Sequence, residues 1–182
     1  DLYLNDFEDM SAAGKAAYKQ QTGRDLEKLD HKNKKQMNEW TRMKTKQLTK
    51  VSLTLADAFK QHRPNAVILR DIYAEPVLNP ESEEWFAQNY QDYLQNYDYT
   101  VVMAYPYMDG EKDPMGYLSN VAAAVKAAGG TSKTIVKIQT YDWKKERWLG
   151  RQVFNQQLQT LKKDGIQHLG YYPNTFYAWV GK

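Results

Sequence analysis

Four apolar runs spaced about 33 residues apart constrain this chain more than any other feature. They cover residues 66–72, 99–104, 134–139 and 166–171 and are rich in Val, Ile, Leu and Tyr. A strand, a turn and a covering helix take up about 30 residues, so the spacing is that of repeated βα units. Nearly unbroken apolar character marks strands covered on both faces, as in a parallel sheet. The segments between them read as helices. Residues 80–97 open on Pro80 and acids, 114–128 stop at Gly129-Gly130, and 150–163 stop at Asp164-Gly165. Ahead of the first strand, residues 34–62 carry Met37, Trp40, Met43, Leu48, Val51, Leu55 and Phe59 at near-helical spacing, until Pro64 breaks the pattern. A shorter helix is expected over 11–21.

This alternation predicts an α/β fold. An open doubly wound sheet would show a Gly-rich phosphate turn after an early strand, and no such motif occurs. The reading is therefore a (β/α) TIM-type barrel. A full barrel takes about 250 residues, so 182 residues amount to its C-terminal half: about four βα units, with Leu2-Tyr3-Leu4 as a strand stub. All 182 residues are assigned to that one domain.

Composition removes several functions. The net charge is +3 and no basic stripe with interleaved aromatics occurs, so nucleic acid is not an expected partner. No Cys is present, which excludes disulfides and thiol catalysis. His31, His62 and His168 share no ligand spacing, so neither a metal nor another cofactor is expected. No nucleophile elbow occurs. The chain opens without Met, and the expectation is that further sequence precedes it.

In a barrel the chemistry sits at the carboxyl ends of the strands. Those ends carry Asp1, Asp6 and Asp9 around the stub, then Tyr73 and Glu75, then Tyr105, Tyr107 and Asp109, then Tyr141, Asp142, Trp143 and Trp148, and finally Tyr172. Alternating carboxylates and rings suit a sugar: pyranose C–H faces stack on aromatics, and glycoside cleavage needs one carboxyl as proton donor and a second as base, nucleophile or electrostatic partner. Asp1, Asp6, Asp9 and Glu75 are the catalytic candidates. Tyr73, Tyr105, Tyr107, Asp109, Tyr141, Asp142, Trp143, Trp148 and Tyr172 are the substrate-binding candidates. Each acid has a plainer alternative. Asp6, Glu8 and Asp9 would also suit a helix N-terminus, Glu75 a loop surface, and Asp109-Gly110 a turn. Pro76 should hold Glu75 extended and aim it at the barrel mouth. Trp143 and Trp148 flank a charged loop and read as binding residues, whereas Trp40 and Trp85, in helix stripes, read as core.

The opening run Asp1-Leu-Tyr-Leu-Asn-Asp-Phe-Glu-Asp9 resembles the C-terminal domain of the PgaB (HmsF) family of bacterial poly-β-1,6-N-acetyl-D-glucosamine deacetylases. So do Arg70-Asp-Ile-Tyr-Ala-Glu-Pro76, Val102-Met-Ala-Tyr-Pro-Tyr107 and Gly170-Tyr-Tyr-Pro173. The resemblance implies a barrel that binds the partly deacetylated polymer and cleaves it in an endo fashion, with Asp1 as the second member of an Asp-Asp pair. It also implies an N-terminal deacetylase domain outside this sequence, a lipid-anchored periplasmic setting at the outer membrane, and an export porin as partner. The alternative is a non-catalytic module that guides the polymer for export.

Overall fold

The computed structural model describes residues 3–174 and divides the chain into two compact units. Unit 1 comprises Asp1–Ala66 and Asn79–Asn89, and unit 2 comprises Val67–Leu78 and Tyr90–Lys182.

Unit 1 is helical. Helix α1 (Ala12–Thr22) begins where the Ser11 hydroxyl accepts from the Gly14 amide, and it ends at left-handed Gly23. Helix α2 (Lys34–His62) begins at Asn33, whose side chain accepts from the Lys35 and Gln36 amides. Both starts use short polar side chains to occupy amides that have no partner in the first turn. Tyr18, Leu26, Met37, Trp40 and Met43 form the core, with Tyr18 edge-on to Trp40 at 5.6 Å. The apolar stripe expected along all of α2 is buried only in its first half. Val51, Leu55 and Phe59 are exposed. A short helix, α4 (Glu83–Phe86), completes the unit.

Unit 2 carries the parallel sheet. Strands β1 (Leu69–Tyr73), β2 (Tyr99–Ala104), β3 (Thr134–Gln139) and β6 (His168–Tyr172) lie side by side in chain order. Each pair is parallel. Between them come α3 (Glu75–Leu78), α5 (Tyr90–Asn96), α6 (Pro106–Asp109), α7 (Pro114–Ala127) and α8 (Arg151–Lys163). Alternation along the strands gives the sheet two different faces. On one, Ile72, Val102, Ala104, Val136 and Ile138 are fully buried, as are Leu118, Val121 and Val125 of α7 and Leu161 of α8. Each buried aliphatic side chain of this kind contributes about 1.5–3 kcal/mol. The opposite face carries Asp71, Tyr73, Met103, Lys137 and Tyr172, where the Lys137 ammonium meets the Asp71 carboxylate at 3.0 Å.

This is the parallel α/β arrangement of part of a TIM-type barrel. Three local expectations need correction. Residues 3–5 are not a strand, and Leu2 lies outside the described residues. Residues 80–97 are not one helix: a 3-10 turn (Pro80–Ser82), α4 and α5 replace it, with left-handed Ala87 at the break. The loop holding Trp143 and Trp148 is instead a two-stranded hairpin of β4 (Tyr141–Asp142) and β5 (Arg147–Trp148).

Candidate functional site

Each strand of the parallel sheet ends in the same direction, so the segments that follow gather at one edge of the sheet. Tyr105 follows β2 directly, Trp143 follows β4, and Tyr172 closes β6. Their rings touch. Trp143 stacks on Tyr172 at 6.0 Å and 23°, and Tyr105 lies 5.7 Å from Trp143. Tyr141 is edge-on to Trp143 at 5.9 Å and to Trp148 at 5.2 Å. Five strand-end rings thus form one continuous patch, in which Trp143 and Tyr172 remain exposed while Tyr105 is buried beneath them. Burial raises the Tyr105 phenol, and the charge of Asp71 and then Tyr172 push it the same way.

Hydrogen bonds fix the patch. The Thr140 amide donates to the Tyr172 carbonyl at 2.9 Å, and the Leu149 amide donates to the Thr140 carbonyl at 2.9 Å. Buried Gln139 accepts from the Tyr107 and Met108 amides at 2.9 and 3.1 Å, and its side-chain amide donates to the Tyr141 carbonyl at 2.7 Å. It therefore holds the segment after β2 against the segment after β3. Asp142, at 2% exposed, accepts from the Lys144 and Lys145 amides, 3.1 Å each. Its carboxylate is occupied in building the hairpin that presents Trp143. Tyr107 is half-buried, and its phenol is raised by burial and then by the charge of Asp142. Tyr73 lies on the Asp71 face of β1, partly buried.

Asp109 and Glu75 also belong to unit 2. Asp109 ends α6 and accepts from the Tyr117 hydroxyl at 2.8 Å. Asp109 keeps contact with solvent. Its carboxyl is nonetheless raised above the usual Asp range, because surrounding protein displaces water, and Glu111 and Glu75 add to the rise. The Tyr117 hydrogen bond and Lys144 oppose it. Glu75 is exposed and starts α3. Pro76 does not force an extended backbone there; it occupies the first turn of α3, where a missing N–H costs nothing. A raised carboxyl that feels the field of a second is the arrangement that separates a proton donor from an anionic partner.

The opening acids Asp6, Glu8 and Asp9 are described with unit 1. Asp1 lies outside the described residues. Asp6 belongs to unit 1, where its carbonyl accepts from the Trp40 indole at 3.3 Å. Asp9 accepts from the Ser11 amide and hydroxyl, 2.9 Å each, through its two carboxylate oxygens. Neither it nor Glu8 lies in the first turn of α1: that helix begins at Ala12, and Glu8 accepts from the Asn5 amide at 2.9 Å. Among the described residues no group of three or more His, Asp or Glu is placed to hold a metal ion, and no helix is long and apolar enough to cross a membrane.

Asp71 and Gln139 stand at strand ends in the sequence without an assigned role, and Tyr117 and Lys137 were not singled out there. A signal existed for β3: Lys137 and Gln139 are polar at alternate positions of an otherwise apolar strand, so they share one face. No comparable signal marks Tyr117.

Comparison with known proteins shows the family of the chain. The family model described as hypothetical glycosyl hydrolase family 13 matches residues 1–172. The poly-β-1,6-N-acetyl-D-glucosamine N-deacetylases of Escherichia coli K12 and O157:H7 are each 35% identical to the chain over 183 aligned residues. Each alignment covers 97% of this chain and 27% of the relative, so the chain spans about a quarter of those proteins. The PgaB (BpsB) glycoside hydrolase domain from Bordetella bronchiseptica superimposes with a TM-score of 0.91 at 30% identity, over 98% of this chain and 51% of that one.

Proposed function

Because the chain belongs to hypothetical glycosyl hydrolase family 13, we propose that its strand-end site binds partly deacetylated poly-β-1,6-N-acetyl-D-glucosamine and cleaves it in an endo fashion. The observation that carries this reading is the joined ring patch of Tyr105, Trp143 and Tyr172 on the unit that also holds the raised carboxyl of Asp109. A pyranose stacks by its C–H face on Trp143 and Tyr172, with Tyr141 and Trp148 extending the surface. Proton donation to the leaving oxygen needs a carboxyl still protonated at working pH, and Asp109 is displaced in that direction. Glu75 is then the second carboxyl. Asp1 and Asp6 enter the proposal through the family resemblance of the opening run, whereas Asp9, bound to Ser11 through its two carboxylate oxygens, serves the fold. Acids at the strand ends favour an ammonium-bearing glucosamine over a neutral residue. The reading extends to a periplasmic, outer-membrane-tethered parent protein, with a deacetylase domain and an export porin as partners, and rests there on the resemblance alone.

The test is product analysis of partly deacetylated polymer incubated with the chain. Wild type should shorten it. Asp109→Asn and Glu75→Gln should each slow shortening by about 10²–10⁴-fold while still binding polymer. Shortening at the wild-type rate in both, with loss only in Asp1→Asn or Asp6→Asn, would move the chemistry to the opening run. Binding without shortening by wild type would make the domain a guiding module.

A further inference from the structure

Unit 1 has a cleft of about 650 Å³ of its own, between the start of α2 and the residues around α4. Its wall includes Trp85, which is 51% exposed although its place in an expected helix stripe suggested core. An indole left half in water beside a cleft is unfavourable for folding alone and suits a surface that stacks on a ligand. Thr41, 6% exposed, also borders the cleft. Asn38 adds an amide with both donor and acceptor character to the same wall.

Charge narrows the ligand. Lys32, Lys34 and Arg42 stand in the lining with Glu81, Glu83 and Glu84. The Arg42 guanidinium is held on Glu83 at 2.7 Å, and Glu83 also accepts from Thr45 and Asn89. With His31 counted neutral the lining carries no net charge, so it favours neither a phosphate nor an ammonium. An exposed ring, an amide partner and a balanced rim together describe a site for a neutral sugar.

We propose that this cleft is a second, non-catalytic sugar-binding site, and that it takes N-acetylated glucosamine units. It rests on the polysaccharide reading of the strand-end site and divides the polymer's chemistry. The acidic strand ends take deacetylated, ammonium-bearing units, and the cleft of unit 1 takes acetylated ones.

Calorimetric titration of the chain with a fully N-acetylated β-1,6-linked glucosamine pentamer, and with its fully deacetylated counterpart, tests this. Trp85→Ala should weaken binding of the acetylated pentamer by about tenfold or more, equivalent to 1.4 kcal/mol, and leave the deacetylated pentamer within about twofold. Asn38→Ala should weaken the acetylated pentamer alone. Trp143→Ala should do the reverse. If Trp143→Ala abolishes binding of both pentamers while Trp85→Ala and Asn38→Ala change neither, the cleft is not a sugar site and the strand-end reading stands. If Trp143→Ala changes neither while Trp85→Ala still weakens the acetylated pentamer, the strand-end reading fails and the cleft remains. Wild type that binds neither pentamer overturns both.

Discussion

Asp109 is pulled in two directions: loss of surrounding water raises its carboxyl, and the Tyr117 hydroxyl lowers it by donating to the charged form. The first wins. Removing the second should therefore carry the carboxyl further up. In a carboxyl-carbon NMR titration, Asp109 should titrate above the ordinary Asp value of about 3.9, and higher again in Tyr117→Phe; an Asp109 that shifts down on losing Tyr117 would contradict the assignment. A folded-state value above the unfolded one also has a stability consequence. The cost is absent below the ordinary Asp range, develops as pH rises through the raised value, and is relieved in Asp109→Asn. The strand-end rings were legible as candidates because each follows an apolar run and needs only its own position to be noticed. Tyr117 was not legible, because its meaning comes from a partner on another element. Asp142 was legible only as an acid at a strand end, and its hydrogen bonds to the Lys144 and Lys145 amides exist only once the hairpin has formed.

At the scale of elements, the chain's periodicity was informative wherever one element lies within one unit. Strands β2 and β3 follow the apolar runs, and α2 spans the expected residues. It failed over residues 80–97, where the chain passes from unit 1 to unit 2 after Asn89 and Ala87 adopts a left-handed conformation. No Gly or Pro stands at that break, so tertiary packing overrides local propensity there. The junction that matters most for the site is Gln139, which holds two amides of α6 and one carbonyl of β4. Gln139→Leu would fill the same space and leave those groups unpartnered, at about 1–3 kcal/mol for each that stays buried. Hydrogen exchange at the Tyr107 and Met108 amides should accelerate in that variant more than at Val102 or Val136. Uniform acceleration across the sheet would mean that Gln139 acts as core, not as a local clamp.

For the molecule as a whole, pH dependence should be readable through unit 1. Lys44 is fully buried and donates to the Asn5 and Glu84 carbonyls at 2.5 and 3.1 Å. Burial lowers its amine to about 8, against the opposing pull of Asp6, Glu84 and Glu8. Below that value the amine is charged in both folded and unfolded states and the cost of burying the charge is fully present. Between about 8 and the ordinary 10.5 the folded state releases its proton first, so stability rises with pH. Urea unfolding followed at the Trp40 indole should show a higher midpoint at about pH 9.5 than at about pH 7.5, and Lys44→Met should remove that difference. A slope that survives in Lys44→Met would place its origin elsewhere.

The central claim is that the strand-end rings of unit 2 form the surface on which the polymer lies. Indole N–H resonances of the chain, followed by NMR during titration with a deacetylated β-1,6-linked glucosamine pentamer, test it most directly. Trp143 and Trp148 should shift together and saturably, while Trp40, sealed in the core of unit 1, stays fixed. Saturable binding that leaves Trp143 and Trp148 unmoved would contradict the account.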